Sequence, residues 1–219
     1  MTDFNEPGLL KFWESHFIEY LEDHETDDHS HDLSHFQRVW GTAQKILADE
    51  PRDVNHLIVL AACYLHDIVT IPKNHPDRSK SSQLAAEKTE EILEELNFPE
   101  ELISGVSHAV AAHSFSANIP TETPEAEVVQ DADRMEAIGA IGLARCFYTG
   151  GKMGSKLFDA KDPWAENREL DDREFSVDHF YCKLLTLGST MKTVPGRKLA
   201  EENTAYLQGF LDKLREELG

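Results

Sequence analysis

VNHLIVLAACYLHD, residues 54–67, decides the fold. It reads as an apolar helix, Val54–His66, with Asp53 as its N-cap. The loop TIPKNHPDRS, Thr70–Ser79, follows it and is marked by Pro72 and Pro76. The pair His66-Asp67 therefore emerges from a buried helix where the backbone turns. Adjacent residues on a continuing helix point about 100° apart. They can share one partner only where the helix ends. Burying two ionisable groups requires a partner, and one metal ion serves both.

Working outward, His35 stands upstream of this pair and Asp133 downstream, each in a stretch that reads as helix. The order is H…HD…D. Imidazole nitrogen with carboxylate oxygen suits a borderline or hard divalent ion such as Mn, Fe, Ni, Co, Zn or Mg. Four such ligands leave open positions on an octahedral ion, where a water can be activated to attack phosphorus. Asp131 lies two residues before Asp133 and faces another way on a helix. Two readings stand for it. It orients a ligand histidine, or it is an acid favoured by a helix N-terminus.

The rest of the chain is also helical in period. Residues 8–22 form an amphipathic helix, and the polar turn DHETDDHSHD follows. Ser34–Asp49 carries an apolar stripe of Phe36, Val39, Trp40, Ala43, Ile46 and Leu47. Ser81–Leu96 turns Leu84, Ala85, Ile92 and Leu96 inward, and Pro99 starts Glu100–His113. Glu125–Phe147 reads as one or two helices, with Gly139 and Gly142 marking close contact or a break. Residues 149–173 read as irregular, and Val177–Leu187 and Lys198–Leu218 close the chain. No alternating strand pattern is present. The expected class is all-α.

Composition narrows the function. The 219 residues lack a Gly/Ser- or Pro-rich linker, so one domain is expected. The formal charge of −20 repels phosphate backbones and argues against long nucleic acid. A small phosphorylated substrate is still compatible, because a metal and a few local cations can reverse the sign inside one cleft. The run Leu57–Leu65 falls well short of the roughly 20 apolar residues a membrane span needs. MTDFNEPGLLKFW lacks the parts of a secretory signal. Three widely spaced cysteines, Cys63, Cys146 and Cys182, suit a reducing cytoplasm.

HDLSHFQRVW, LHDIV with PKNHPDRSKSS, HAVAAHSFSA and VVQDADRMEAIGAIGLARCF together resemble the HD-domain superfamily of metal-dependent phosphohydrolases, in its small single-domain bacterial branch. The likeness covers most of residues 29–148, and residues 149–219 would be a C-terminal helical region of the same domain. It implies an all-helical bundle with a central metal site, its ligands carried over to His35, His66, Asp67 and Asp133. It also implies hydrolysis of phosphomonoesters, cyclic nucleotides, nucleoside triphosphates or an alarmone. Some pyrophosphate-releasing relatives carry acids three and four positions after the HD aspartate. Here those positions are Thr70 and Ile71, a departure that weakens any shared acid/base scheme. Dinuclear relatives use extra histidines, but His108 and His113 are five residues apart and do not share a regular helix face. One tight site is expected, with a weaker second site as the alternative.

The cleft has further candidates. Lys73, Asn74 and Arg78, beside His75 and Lys80, form the densest basic cluster. They are either a phosphate-binding lip or a solvated loop. His113 and His108 are candidate proton donors, and Asp67 counts as both ligand and catalytic group. His31, four residues before His35, is a substrate contact or a fifth ligand. Arg145 binds phosphate or pairs with an acid, while Arg134 reads as a structural salt bridge. The leading expectation is a phosphohydrolase that uses Mn, Ni, Co, Mg or Fe on a nucleotide or similar small phosphate ester, as a monomer or homodimer. A di-iron oxygenase and a nucleotide-sensing module without turnover are the alternatives.

Overall fold

The computed structural model describes residues 3–24, 33–71, 75–114 and 116–219. The fold is all-α. Among the described residues there is no strand, only an isolated parallel bridge between Lys156 and Phe175. Two compact units divide the chain, residues 1–133 and 134–219.

The first unit is built around a helix with no solvent face. Helix α3, His56–Leu65, buries every residue from Leu57 to Leu65. Each fully buried large apolar side chain there contributes roughly 1.5–3 kcal/mol. Its N-cap is Asn55 rather than the expected Asp53: the Asn55 side chain accepts from Leu57 N and Ile58 N at 3.1 and 3.2 Å. The start shifts because Val54 is buried and held by Asn5, whose Nδ2 donates to the Val54 carbonyl at 3.1 Å.

Helices α1 (Pro7–Asp23) and α2 (Leu33–Asp49) pack on α3. Helix α1 buries Trp13, Phe17 and Leu21, and its Glu14 accepts from the Tyr64 hydroxyl at 2.8 Å. Helix α2 buries the whole expected stripe, together with His35. Helix α4 (Ser81–Glu95) presents Ala85, Ala86, Ile92 and Leu93 to the core. Leu84 is exposed, contrary to expectation, because the buried face lies one residue further along. The chain leaves α4 through Asn97 at φ 54°. Phe98 N then donates back to the Leu93 carbonyl at 2.9 Å, a Schellman closure that seats Phe98 against Trp13. Helix α5 (Glu100–His113) follows Pro99 as expected and packs on α3 and α4.

The stretch read as one or two helices is two, α6 (Pro124–Met135) and α7 (Gly139–Met153). Gly139 has φ +69°, and a Cβ there would stand 2.7 Å from Asn203 Oδ1. A Cβ on Gly142 would meet the Ala137 carbonyl carbon at 2.2 Å. Glycine is thus required at both positions of the break.

In the second unit, α7 runs five residues, 149–153, into the stretch expected to be irregular. The chain then passes through loops to α8 (Ser176–His179), a π-helical stretch Phe180–Leu184, α9 (Leu185–Leu187) and α10 (Val194–Leu218). Thr193 Oγ1 caps α10 by accepting from Gly196 N at 2.9 Å. Phe180, Leu184, Leu187, Leu207 and Leu211 centre this unit's core. Asp178, fully buried, accepts from Arg168 at 2.5 and 2.8 Å and from Asp171 N at 2.7 Å. Cys63, Cys146 and Cys182 form no disulfide. No described helix is long and apolar enough to cross a membrane.

Candidate metal centre

Four segments of the first unit bring five side chains together. Helix α2 supplies His35, the C-cap of α3 supplies His66 and the next residue Asp67, the last residue of α5 is His113, and α6 supplies Asp133. His35 Nε2 lies 3.2 Å from His66 Nε2 and 3.8 Å from Asp133 Oδ1. His66 Nε2 is 3.8 Å from Asp67 Oδ2 and 3.6 Å from Asp133 Oδ1. His113 Nε2 is 3.5 Å from Asp67 Oδ1. Two overlapping sets of potential ligand atoms, His35-His66-Asp67 and His66-His113-Asp133, each fall within 4.8 Å.

Local backbone sets the tautomers. His66 Nδ1 donates to the Cys63 carbonyl at 3.0 Å, and His113 Nδ1 donates to the Val110 carbonyl at 2.6 Å. A carbonyl only accepts, so both Nδ1 atoms carry hydrogen. Each neutral ring then has its lone pair on Nε2, aimed into the cluster. Both acceptors lie three residues back, in the last turn of a helix, where carbonyls lack an intrahelical partner. Phe36 packs edge-on against His66, with ring centroids 5.5 Å apart. Beyond Asp67, the buried Ser81 accepts from Ile71 N at 3.2 Å and donates to the Val69 carbonyl at 3.0 Å, fixing the start of the following loop.

Charge in this cluster is poised for a cation. Burial alone would lower His66, but hydrogen bonding to Asp133 and the charges of Asp67 and Asp133 outweigh it and raise it to about 9. Burial alone would raise Asp133, but hydrogen bonding to His66 and the charges of His66, His113 and His35 hold it below the usual carboxylate range. A proton on His66 thus occupies the place of positive charge that several lone pairs face. A divalent ion fits this donor set, three imidazole nitrogens and two carboxylates. Burial pushes the Cys63 thiol well up, away from the thiolate a metal would need.

The other candidates fall elsewhere. His108 Nε2 accepts from Glu122 N at 3.0 Å, and it belongs to neither ligand set among the described residues. Asp131 is fully buried in α6. Arg145 lies in the second unit, 3.6 Å from Glu136 Oε2. Arg134 Nη1 donates to the carbonyl and hydroxyl of Thr190, each at 3.0 Å. His31, Lys73 and Asn74 lie outside the described residues. Arg78 opens a short 3-10 turn, Arg78–Lys80, in which Lys80 pairs with Asp77 at 2.7 Å.

The histidine spacing misled on one point. His108 and His113 indeed do not share a face, yet His113 alone reaches the cluster because it ends its helix. The available signal was the apolar run AVAAH, which parallels AACYLH before Asp67.

Comparison with known proteins identifies the family and the fold. The HD domain model matches residues 32–138. YpgQ, an uncharacterized protein of Bacillus subtilis, is 32% identical over 202 residues, covering 88% of this chain and 87% of its own. The crystal structure of an HD-superfamily hydrolase from Bacillus thuringiensis superposes with a TM-score of 0.68 at 30% identity, covering 95% of each chain. Bacillus subtilis YpgQ crystallised in complex with ADP superposes with a TM-score of 0.71 at 28% identity, covering 93% of this chain and 97% of that one.

Proposed function

We propose that this chain, which belongs to the HD-domain family, is a metal-dependent phosphohydrolase that acts on a nucleotide or a similar small phosphate ester. The observation that carries the reading is the convergence of five His and Asp side chains, with the Nε2 lone pairs of His66 and His113 turned inward. His35, His66, Asp67 and Asp133 would hold the ion. When bound, it supplies Lewis acidity toward a phosphoryl oxygen and acidifies a water.

The chain's own groups do the rest. The Nδ1 bonds to Cys63 and Val110 hold both rings in one tautomer, so no reorganisation is needed on loading. His113 is preferred to His108 for proton transfer to the leaving oxygen, because its Nε2 faces Asp67 in the cluster while that of His108 is taken by Glu122 N. Lys73, Asn74 and Arg78 would bind phosphate, Lys73 as a point charge and Arg78 as a fork. His31 remains a further proposed substrate contact. The ADP complex of the Bacillus subtilis relative supports a nucleotide.

The test is reconstitution with Mn, Ni, Co, Mg or Fe against a panel of nucleotides and phosphomonoesters. Metal-dependent release of phosphate or pyrophosphate is expected, and it should vanish in His66→Ala. Stoichiometric metal without turnover of any substrate would instead indicate a sensing module. Two irons with a visible absorbance band and no phosphate release would indicate oxygen chemistry.

A further inference from the structure

We propose that Gln130 is a positioning residue for His113, holding the end of α5 against α6; the catalytic weight of this role rests on the reading of the cluster as the reactive centre. Gln130 is 3% exposed, and its Nε2 donates to the Ala112 carbonyl at 2.7 Å. Ala112 is fully buried and immediately precedes His113. A carbonyl in the last turn of a helix has no partner within that helix. Left buried and unpaired, it is a costly defect. Gln130 supplies the donor from the neighbouring helix.

The last turn of α5 is thereby tied twice. His113 holds the Val110 carbonyl at 2.6 Å from within, and Gln130 holds Ala112 from outside. What this turn presents is His113 Nε2, 3.5 Å from Asp67 Oδ1. Gln130 also stands three residues before Asp133 on α6, so the two share a helix face. One face of α6 thus brings a carboxylate to the cluster and an amide to the backbone beside an imidazole of that cluster.

The chemistry at position 130 argues against simple filler. Gln130 Oε1 is buried with no hydrogen-bond partner among the described residues. Methionine or leucine would fill a similar volume without an unsatisfied oxygen. An ionised glutamate would keep the shape but turn an acceptor toward the Ala112 carbonyl. A glutamine gains over these only through its N–H donor.

The test uses the full chain as wild type, Gln130→Met and Gln130→Glu. The imidazole nitrogen and proton resonances of His113 and His66 are recorded on the metal-free protein. In Gln130→Met the His113 Nδ1–H resonance should shift or broaden, that of His66 should hold, and helicity by circular dichroism should be retained. Gln130→Glu, of nearly equal size, should show the same His113 change once its carboxyl is ionised at high pH, since only the protonated carboxyl can donate to the Ala112 carbonyl. After Mn loading, kcat should fall by about 10- to 100-fold, with KM changed less. A wild-type His113 spectrum in folded Gln130→Met overturns the proposal. Because the spectra need neither ion nor substrate, a wild type that fails to hydrolyse any phosphate would overturn the function proposed above while leaving this test decisive.

Discussion

Asp178 and Asp133 are both set into helical cores, one in each unit. Asp178 is closed off by its own chain: two guanidinium nitrogens of Arg168 and the N–H of Asp171 meet it, and its side chain is 1% exposed. Asp133 is met by the imidazoles of His35, His66 and His113, and its side chain keeps 26% exposure. Arginine carries its charge at every accessible pH. Imidazoles carry charge only by taking a proton, and here their lone pairs converge. The first arrangement is complete as the chain folds. The second lacks a fixed countercharge: a proton supplies it in the free protein, in the proposed reading a metal ion would take that place, and the exposure of Asp133 gives an ion a way in.

Several experiments can break or sharpen that contrast. The largest effect belongs to the cluster itself: His66→Ala or Asp67→Ala should abolish metal binding and hydrolysis while most helicity remains, read by metal analysis and circular dichroism. Either variant retaining full metal-dependent turnover would dissolve the contrast. In the second unit, Arg168→Met should leave Asp178 buried without its countercharge. The expected stability loss is roughly 2–4 kcal/mol, at the lower end for buried pairs because the guanidinium keeps some contact with water. Denaturant unfolding measures it, and metal stoichiometry should not change.

A smaller, pH-dependent effect belongs to the His-Asp cluster. His66 is raised from an ordinary 6.5 to about 9, so its bound proton stabilises the metal-free fold fully below pH 6.5. That contribution is lost as pH rises through 9. Asp133 is depressed, so its contribution is present above the ordinary value of 3.8 and is lost only on stronger acidification. Thermal melts in chelator should therefore weaken from pH 6.5 toward 9, and melts in Mn should not, because the ion displaces that proton. Identical pH trends with and without Mn would count against a shared place for proton and metal. Smallest of all, His108→Ala should cost about 1 kcal/mol by freeing Glu122 N. It should leave metal affinity intact, as should His113→Ala, which should lower kcat instead.

Much of this was readable in the chain. The apolar run before His66-Asp67 announced a fully buried helix, and the proline-marked loop after it announced the turn. Pro99 marked the start of α5, and the glycines at 139 and 142 marked the break between α6 and α7. The misses share a cause: they depend on distant partners. Asn55 outcompetes Asp53 as a cap because Asn5 and Glu125 fix the backbone around it. The π-helical stretch at Phe180–Leu184 has no local composition signal. His113 was hard to place from spacing, because a helix-ending residue escapes the periodicity that governs its neighbours. Gln130 carries no metal-binding chemistry, and only the contact between α5 and α6 reveals it.

The most direct measurement is the divalent metal bound per chain at equilibrium, by elemental analysis of the wild type and Asp133→Ala after dialysis against Mn. The account predicts at least one ion per wild-type chain and its loss in the variant. No bound metal in the wild type, or equal binding in both, would contradict the claim that this cluster is built to hold a cation.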